Sequence, residues 1–270
     1  MQDWLNGQPL GAGLQRDRGL AYGDGLFETI AVRRGQPRLL ERHLQRLATS
    51  CQRLRIPCDI AQVGAEVQAF AAQLGEGVAK LLVTRGDGLR GYAPPAAPEV
   101  RRLLLGAPVP AYPAAHATEG IALYPCQTRL ASQPLLAGLK HLNRLEQVLA
   151  RDEWHGAEYA EGLMLDQDER PIEGVFSNLF LVRKGRLLTP ALERCGVAGV
   201  LRGLLLDVAS QQGLATEIRP LSLAELIGAD EVFLCNSQYG IWPVRRYAAA
   251  NWSVGPLTRK LQGSINEILE

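Results

Sequence analysis

One lysine of this sequence has an unusual setting. Lys140 lies in the run LAGLKHLNRLEQ (136–147) among leucines, and only four of the 29 basic residues of the chain are lysines. An ammonium group among apolar neighbours loses hydration, which lowers its pKa and increases the fraction of free amine. A free amine can form an imine with a carbonyl compound. The alternative is a lysine at a helix start that extends its amine into water.

A carboxylate in an apolar strand is the second candidate for chemistry. Glu173 lies in the run ERPIEGVFSNLFLV (169–182), where most neighbours are apolar. A buried carboxylate must be paired or protonated, and the nitrogen of a pyridinium ring is one suitable partner. The alternative is an outward-facing position, because the predicted hairpin tolerates alternation of buried and exposed residues.

Three segments could bind an anion. Arg46 falls about 120° from the apolar stripe of its predicted helix, so we expect it off the core face and able to reach an anion. In GVAGVLRG (196–203), Gly199 precedes a predicted helix whose first amides could face a phosphate. The turn CNSQYG (235–240) follows a predicted strand and offers polar groups.

Composition favours a small-molecule site. The 270 residues carry a net charge of +1 with interspersed signs, which disfavours nucleic acid and anionic membranes as partners. The five cysteines form no Cys-x-x-Cys pair and are odd in number, which is typical of a reduced compartment. We find no signal peptide, no apolar run that could span a membrane, and no histidine spacing typical of a metal site. The sequence thus predicts a cytoplasmic protein without a metal.

The pattern of apolar residues and turns predicts an α+β fold. Helices are predicted over 39–56, 60–74, 141–154, 199–212, 222–228 and 256–269. Strands are predicted over 79–86, 101–109, 120–130 and 231–237, with hairpins over 161–174 and 178–190. The proline-rich linker at about 107–119 divides a smaller N-terminal α/β domain, residues 1–111, from a larger strand-rich domain, residues 112–270.

Seven motifs in order resemble the fold-type IV pyridoxal-phosphate enzymes. This family includes D-amino-acid aminotransferases, branched-chain aminotransferases and 4-amino-4-deoxychorismate lyases. GLKHLNRLEQ together with RGDGLRGY is most similar to the lyase branch, which converts 4-amino-4-deoxychorismate to 4-aminobenzoate and pyruvate for folate synthesis. The seven motifs are YGDGLFET (22–29), RHLQRL (42–47), TRGDGLRGY (84–92), GLKHLNRLEQ (138–147), EGLMLD with IEGVFSNLF (161–180), GVAGVLR (196–202) and DEVFLCNS (230–237).

The resemblance implies a cofactor, a site and an assembly. The cofactor would be pyridoxal 5'-phosphate, with Lys140 as the Schiff-base lysine and Glu173 as the partner of the pyridine nitrogen. The phosphate would be held by Arg46, by the backbone amides of Val200 and Leu201, and by Ser237. Thr29 matches a threonine implicated in proton handling, and Arg85 and Arg90 lie in the loop that matches the substrate side. The family also implies a homodimer and a small-molecule substrate.

Two departures from the family pattern affect these expectations. Asn236 and Ser237 stand where many relatives have Gly-Thr, which keeps a hydroxyl but adds a side chain. The chain also lacks the tyrosine that aminotransferases often place just after the lysine, which favours the lyase. A D-amino-acid or branched-chain aminotransferase on the same fold stays open as the alternative, as does a binding protein that has kept the fold without the activity.

Overall fold

The computed structural model describes residues 4–9, 14, 16–88 and 90–269. The chain divides into two compact units. Unit 1 comprises Met1–Pro110 and Leu139–Asn143, and unit 2 comprises Ala111–Gly138 and Arg144–Glu270. The short segment Leu139–Asn143, which the sequence had grouped with the larger domain, belongs to unit 1 because its backbone pairs with a strand there.

Unit 1 is built on one antiparallel sheet of six strands in the order β2-β1-β6-β5-β3-β4. Its strands are β1 (Trp4–Leu5), β2 (Gln8–Pro9), β3 (Gly25–Arg33), β4 (Gln36–Pro37), β5 (Gly77–Thr84) and β6 (Arg101–Ala107). Its helices are α1 (Arg18–Tyr22), α2 (Leu40–Leu54) and α3 (Ile60–Leu74). The predicted helices 39–56 and 60–74 and the predicted strands 79–86 and 101–109 are confirmed.

Alternation along β3 sorts its side chains between two faces. Leu26, Glu28, Ile30 and Val32 are buried at 2% exposure or less, whereas Phe27 and Thr29 are half-buried. Helix α2 packs on β3, and α3 packs on β4, β5 and β6. A strand with period 2 therefore places Glu28 among the core residues and gives Phe27 and Thr29 to the opposite face.

The buried face of helix α2 is shifted relative to the predicted apolar stripe, which comprised Leu40, Leu44, Leu47, Cys51 and Leu54. Its buried residues are His43, Leu47, Ser50 and Cys51, whereas Leu40 and Leu44 are only half-buried. Arg46 therefore lies beside the buried face, and its side chain is only 12% exposed. The prediction that Arg46 stands off the core face was wrong, because the apolar stripe alone could not reveal an acidic partner on the strand below.

Unit 2 contains a nine-stranded sheet and the remaining helices. Its strands are β7 (Ile121–Leu130), β8 (Glu161–Asp166), β9 (Pro171–Gly174), β10 (Asn178–Arg183), β11 (Arg186–Pro190), β12 (Thr216–Arg219), β13 (Glu231–Asn236), β14 (Gly240–Tyr247) and β15 (Ala250–Asn251). Its helices are α4 (Ala115–Thr118), α5 (Leu145–Asp152), α6 (Val200–Gln211), α7 (Leu223–Ile227) and α8 (Pro256–Leu269). Both predicted hairpins are confirmed, whereas the helix predicted over 141–154 begins only at Leu145.

Six of these strands form a closed ring. The sheet runs β10-β13-β14-β7-β8-β9, and the pairing of Asn178 with Glu173 joins β10 back to β9. One buried cluster contains alternate residues of four of these strands: Leu163, Leu165, Leu179, Leu181, Val232, Leu234, Trp242 and Val244. The ring fixes the ends of neighbouring strands relative to one another, which matters for the residues at its closing pair.

Among the described residues, no helix has both the length and the apolar character required to cross a membrane.

Candidate active site

Lys140 belongs to a segment that pairs with β3. The amide of Phe27 donates to the carbonyl of Lys140 at 2.9 Å, and the amide of Leu142 donates to the carbonyl of Gly25 at 3.0 Å. Lys140 is therefore fixed by sheet-like pairing and precedes α5 by several residues. The alternative of a lysine at a helix start is wrong for this reason.

The amine of Lys140 lies over an aromatic ring. Its Nζ is 4.2 Å from the centre of the Phe27 ring, and the Nζ of Lys80 is 5.6 Å from the same centre. A ring face attracts an ammonium group, so Phe27 orients the lysine and holds it close to β3. Thr29 is two residues further along β3, on the same face as Phe27, and pairs directly with Lys80 of β5. Unit 1 thus brings Lys140 and Thr29 to the same strand face.

The opposite face of β3 carries a buried ion cluster. Glu28 is 2% exposed, and its Oε1 accepts a hydrogen bond from Nε of Arg46 at 2.8 Å. Its Oε2 accepts from Nη2 of Arg46 and lies 2.6 Å from Nδ1 of His43. His43 and Arg46 are three residues apart on α2, which places both on the side of the helix that meets β3.

Within this cluster, burial and neighbouring charges shift the pKa values of Glu28 and His43. Burial alone would raise the pKa of Glu28, but the Arg46 charge and the His43 hydrogen bond outweigh it and lower the pKa to about 2. Burial lowers the pKa of His43 below its ordinary value, and the positive charges of Arg46 and Lys140 act in the same direction. Glu28 is therefore ionised and His43 neutral near pH 7.

The two arginines expected on the substrate side have different settings. Four of the five N–H groups of Arg85 donate within unit 1, to Asp24 and to the carbonyls of Leu54 and Arg55. These hydrogen bonds hold the chain at the end of α2. The structure therefore does not support the predicted contact of Arg85 with the substrate. Arg90 is exposed, and its neighbour Leu89 lies outside the described residues.

Glu173 is buried where the ring of strands closes in unit 2. It is 3% exposed, so the alternative of an outward-facing position is wrong. Its Oε2 accepts a hydrogen bond from the amide of Val197 at 2.8 Å, and Asn178, opposite on β10, donates from Nδ2 to the carbonyl of Val197 at 2.8 Å. The two side chains therefore hydrogen-bond the amide and the carbonyl of one residue, Val197, in the segment that leads into α6. Arg144 is near enough for its charge to interact with that of Glu173.

Helix α6 begins next to this pair. Gly199 is its N-cap, and within the described chain no side chain caps the helix. The first amides of an α-helix, here those of Val200 and Leu201, have no partner inside the helix and carry its positive dipole end. A Cβ atom at Gly199 would stand 2.0 Å from Oδ1 of Asn178, so any other residue there would require this side chain to move.

Ser237 lies in the turn between β13 and β14. Oδ1 of Asn236 accepts hydrogen bonds from the amides of Gln238 and Tyr239 at 2.9 and 3.1 Å, which orders the turn around Ser237. Cys235 pairs with Asn178 in register, so the turn follows the strand end beside Asn178. Glu173, Asn178 and this turn thus occupy adjacent strand ends of unit 2.

A buried carboxyl supports the turn between Glu173 and Asn178. Glu161 is completely buried, and burial raises its pKa to about 8, against four hydrogen bonds that act in the opposite direction. Its carboxyl accepts from the amides of Gly162, Val175 and Phe176 and from the hydroxyl of Ser177. The group shapes the turn that begins just after Glu173.

Several residues of these clusters were not recognised from the sequence. Glu28 and His43 lie inside quoted motifs, yet their partners are far apart along the chain, so no local signal joined them to Arg46. Asn178 could have been noticed as a polar residue that begins an apolar strand. Glu161 likewise begins a strand that is otherwise apolar up to Asp166.

The residues present suit pyridoxal 5'-phosphate. An amine is available for its aldehyde in Lys140, and a carboxylate for its ring nitrogen in Glu173. An arginine and an uncapped helix start suit its phosphate. The glycine at position 199, which the Asn178 side chain requires, keeps the approach to the α6 amides free of a side chain.

Comparison with known proteins identifies the class. Residues 25–247 match the amino-transferase class IV family, and the chain belongs to that family. The family predicted from the seven motifs, with its two-domain α+β fold, is thereby confirmed.

Individual relatives narrow the comparison. The chain is 36% identical over 268 residues to an aminodeoxychorismate lyase of Vibrio harveyi, covering 97% of this chain and 99% of that protein. The crystal structure of 4-amino-4-deoxychorismate lyase from Pseudomonas aeruginosa is similar with 63% identity and a TM-score of 0.97, covering 98% of both chains. The branched-chain amino acid aminotransferase of Escherichia coli is similar with 26% identity and a TM-score of 0.87, covering 99% of this chain and 94% of that chain.

Proposed function

We propose that this protein is a pyridoxal-phosphate-dependent lyase that converts 4-amino-4-deoxychorismate to 4-aminobenzoate and pyruvate. The observation that carries the proposal is the lysine amine held on the face of β3 that also carries the Thr29 hydroxyl. The similarity to two proteins described as this lyase covers nearly the whole chain and supports the choice of substrate.

The cofactor is pyridoxal 5'-phosphate, and Lys140 carries it. When bound, it supplies an electron sink for the carbon atom that bears the substrate amine. Glu173 would keep the pyridine nitrogen protonated, and the hydrogen bond that it accepts from the amide of Val197 favours the carboxylate form that this role requires. Arg46, the amides of Val200 and Leu201, and Ser237 hold the phosphate.

Residues of unit 1 carry out the two proton transfers of the reaction. Lys140 Nζ removes the proton from the ring carbon that bears the amine, acting as a general base. The carbon–oxygen bond to the enolpyruvyl group then breaks, and the ring becomes aromatic, which drives the reaction. Thr29 Oγ1 or Lys140 Nζ delivers a proton to the departing group, which leaves as pyruvate. The atoms of substrate and products balance without water.

An aminotransferase on the same fold is the second candidate. The similarity to the Escherichia coli branched-chain aminotransferase favours it. It would use Lys140 for the same proton removal and differ only in where the proton is returned. The two candidates therefore share their binding residues and differ in the products.

Assembly and location complete the proposal. We infer a homodimer, as the family resemblance implies, and a cytoplasmic location, as the unpaired cysteines suggest. The substrate is a small molecule. Arg90 is exposed and lies in the loop that the resemblance places on the substrate side, and we propose it for one of the substrate carboxylates.

An assay of both products tests the function. Protein loaded with pyridoxal 5'-phosphate is incubated with 4-amino-4-deoxychorismate, while pyruvate is followed by a coupled dehydrogenase and 4-aminobenzoate by fluorescence. We expect both products in equal amounts. The lyase proposal fails if neither appears, and conversion of the bound cofactor to its amine form by amino acids would then establish the aminotransferase.

A further inference from the structure

The phosphate-binding arginine of the proposed function is itself held by a buried carboxylate. Glu28 contacts Arg46 through Nε and Nη2, which form one edge of the planar guanidinium. A phosphate that binds this guanidinium would meet hydrogens other than the two that Glu28 accepts. Because the group is rigid and planar, fixing one edge fixes the direction of the other.

His43 contributes to the same arrangement. Its Nδ1 is 2.6 Å from Glu28, and among the described residues its buried Nε2 has no hydrogen-bond partner. A protonated His43 would bury an unsatisfied N–H group and add a cation beside Arg46. The neutral form, with its proton on Nδ1, instead donates to Glu28 and keeps that carboxylate in register with Arg46.

We propose that Glu28 is a positioning residue for the cofactor phosphate, with His43 in support: it holds one edge of the Arg46 guanidinium and so fixes the orientation in which this group meets the phosphate. This inference rests on the proposed function, because it needs Arg46 to bind that phosphate. Glu28 itself touches neither cofactor nor substrate in this arrangement.

The proposal predicts an effect confined to the phosphate. Loss of the Glu28 charge would let the guanidinium turn and would weaken the binding of pyridoxal 5'-phosphate. The binding of pyridoxal, which has the aldehyde and the ring but no phosphate, would not change. A general loss of structure would weaken both compounds alike. The ratio of the two affinities therefore separates positioning from a structural role.

The chain offers a matched control in the same unit. Glu66 contacts Arg102 through Nε and Nη2 at 2.8 and 2.9 Å, with side chains 11% and 12% exposed. Glu66→Gln therefore removes a comparable carboxylate–arginine pair that has no proposed part in the site. Any general cost of losing such a pair appears in this variant.

The experiment titrates apoprotein with pyridoxal 5'-phosphate and with pyridoxal, and follows visible absorbance. For Glu28→Gln we expect the affinity for pyridoxal 5'-phosphate to fall roughly tenfold to a hundredfold, the range for a lost charge-assisted hydrogen bond. The affinity for pyridoxal should change less than about twofold, and Glu66→Gln should leave both affinities unchanged. In an Arg46→Met background, Glu28→Gln should have no further effect on the ratio.

Each outcome decides the proposal. The proposal is overturned if the ratio of the affinities for pyridoxal 5'-phosphate and pyridoxal is unchanged in Glu28→Gln, whether both affinities stay the same or both fall equally. If circular dichroism shows that Glu28→Gln does not fold, Glu28→Asp replaces it, and an unchanged ratio in that variant overturns the proposal as well. Wild-type protein that binds no pyridoxal 5'-phosphate would refute the proposed function itself, whereas wild-type binding with an insensitive ratio refutes only the positioning role.

Discussion

Two lysines share one aromatic neighbour, and their roles differ through their backbone positions. Lys140 and Lys80 lie 4.2 and 5.6 Å from the centre of the Phe27 ring. Lys140 belongs to the segment paired along β3, whereas Lys80 belongs to β5 and its side chain is exposed. The two lysines therefore differ in backbone position and in exposure, although both lie near the same ring.

Replacing each lysine in turn distinguishes the roles of Lys140 and Lys80. Lys140→Ala should remove the visible absorbance of the loaded protein and reduce turnover by on the order of a thousandfold or more, because the base is lost. Lys80→Ala should keep the absorbance. Borohydride reduction followed by peptide mapping should label Lys140 only, and a label on Lys80 would contradict the assignment.

Glu173 should affect turnover more than binding. Glu173→Gln keeps the size of the side chain but cannot hold the pyridine nitrogen protonated. We expect the cofactor still to bind and kcat to fall by roughly tenfold to a hundredfold, as for a lost charge-assisted hydrogen bond. Steady-state kinetics on loaded protein measure this, and normal kcat would exclude the role.

The ionised state of Glu28 should make stability depend on pH. Its pKa is lowered to about 2 from the ordinary 4.5, so it stabilises the fold above pH 4.5 and loses that contribution as pH falls toward 2. The difference in free energy of unfolding between wild type and Glu28→Gln should shrink as pH falls from about 5 to about 3. Urea unfolding across this range measures it, and a constant difference would show that the charge contributes nothing.

At the scale of elements, the start of α6 is shaped by its contact with Asn178, the first residue of β10. Gly199 has ordinary extended backbone angles, so its need for glycine comes from the Asn178 side chain and not from backbone strain. Neighbouring strand ends of the closed ring present Glu173 and Asn178 to the segment before this helix. The helix start is thus held in place by the ring.

A double-mutant cycle tests this contact. Gly199→Ala should destabilise the protein by about 1–3 kcal/mol through overpacking, because its Cβ would meet Oδ1 of Asn178. In an Asn178→Ala background the same change should cost clearly less. Denaturant unfolding of the four proteins gives the coupling energy, and additive effects would mean that the side chain of Asn178 is not the obstacle.

For the whole molecule, the proposed homodimer can be measured directly. Sedimentation equilibrium of the loaded protein should give twice the 29.4 kDa mass of one chain. The result should hold over a wide range of protein concentration if the dimer is tight. A single-chain mass at micromolar concentration would refute this part of the proposal.

Much of the architecture follows from local patterns in the sequence. The bounds of α3 and of both hairpins are set by turn residues and by periods of 3.6 and 2, which act over a few residues. The ordered motifs also identified the family, and the resemblance that they carry predicts Lys140 as the cofactor lysine. In contrast, strands β12, β14 and β15 were not predicted. Strands β12 and β15 have too few residues to show a period, and β14 follows β13 after a turn of only three residues.

The sequence by itself determined which residue types are available: one lysine among leucines, one carboxylate in an apolar strand, and a glycine before a helix. Only the tertiary structure decided their partners. Glu28 meets Arg46 because α2 packs on β3. The guanidinium of Arg85 donates to Asp24 and to two carbonyls, and Lys140 lies in a segment that pairs with β3. These contacts join residues distant along the chain, so their energies act only once the sheets and helices have packed.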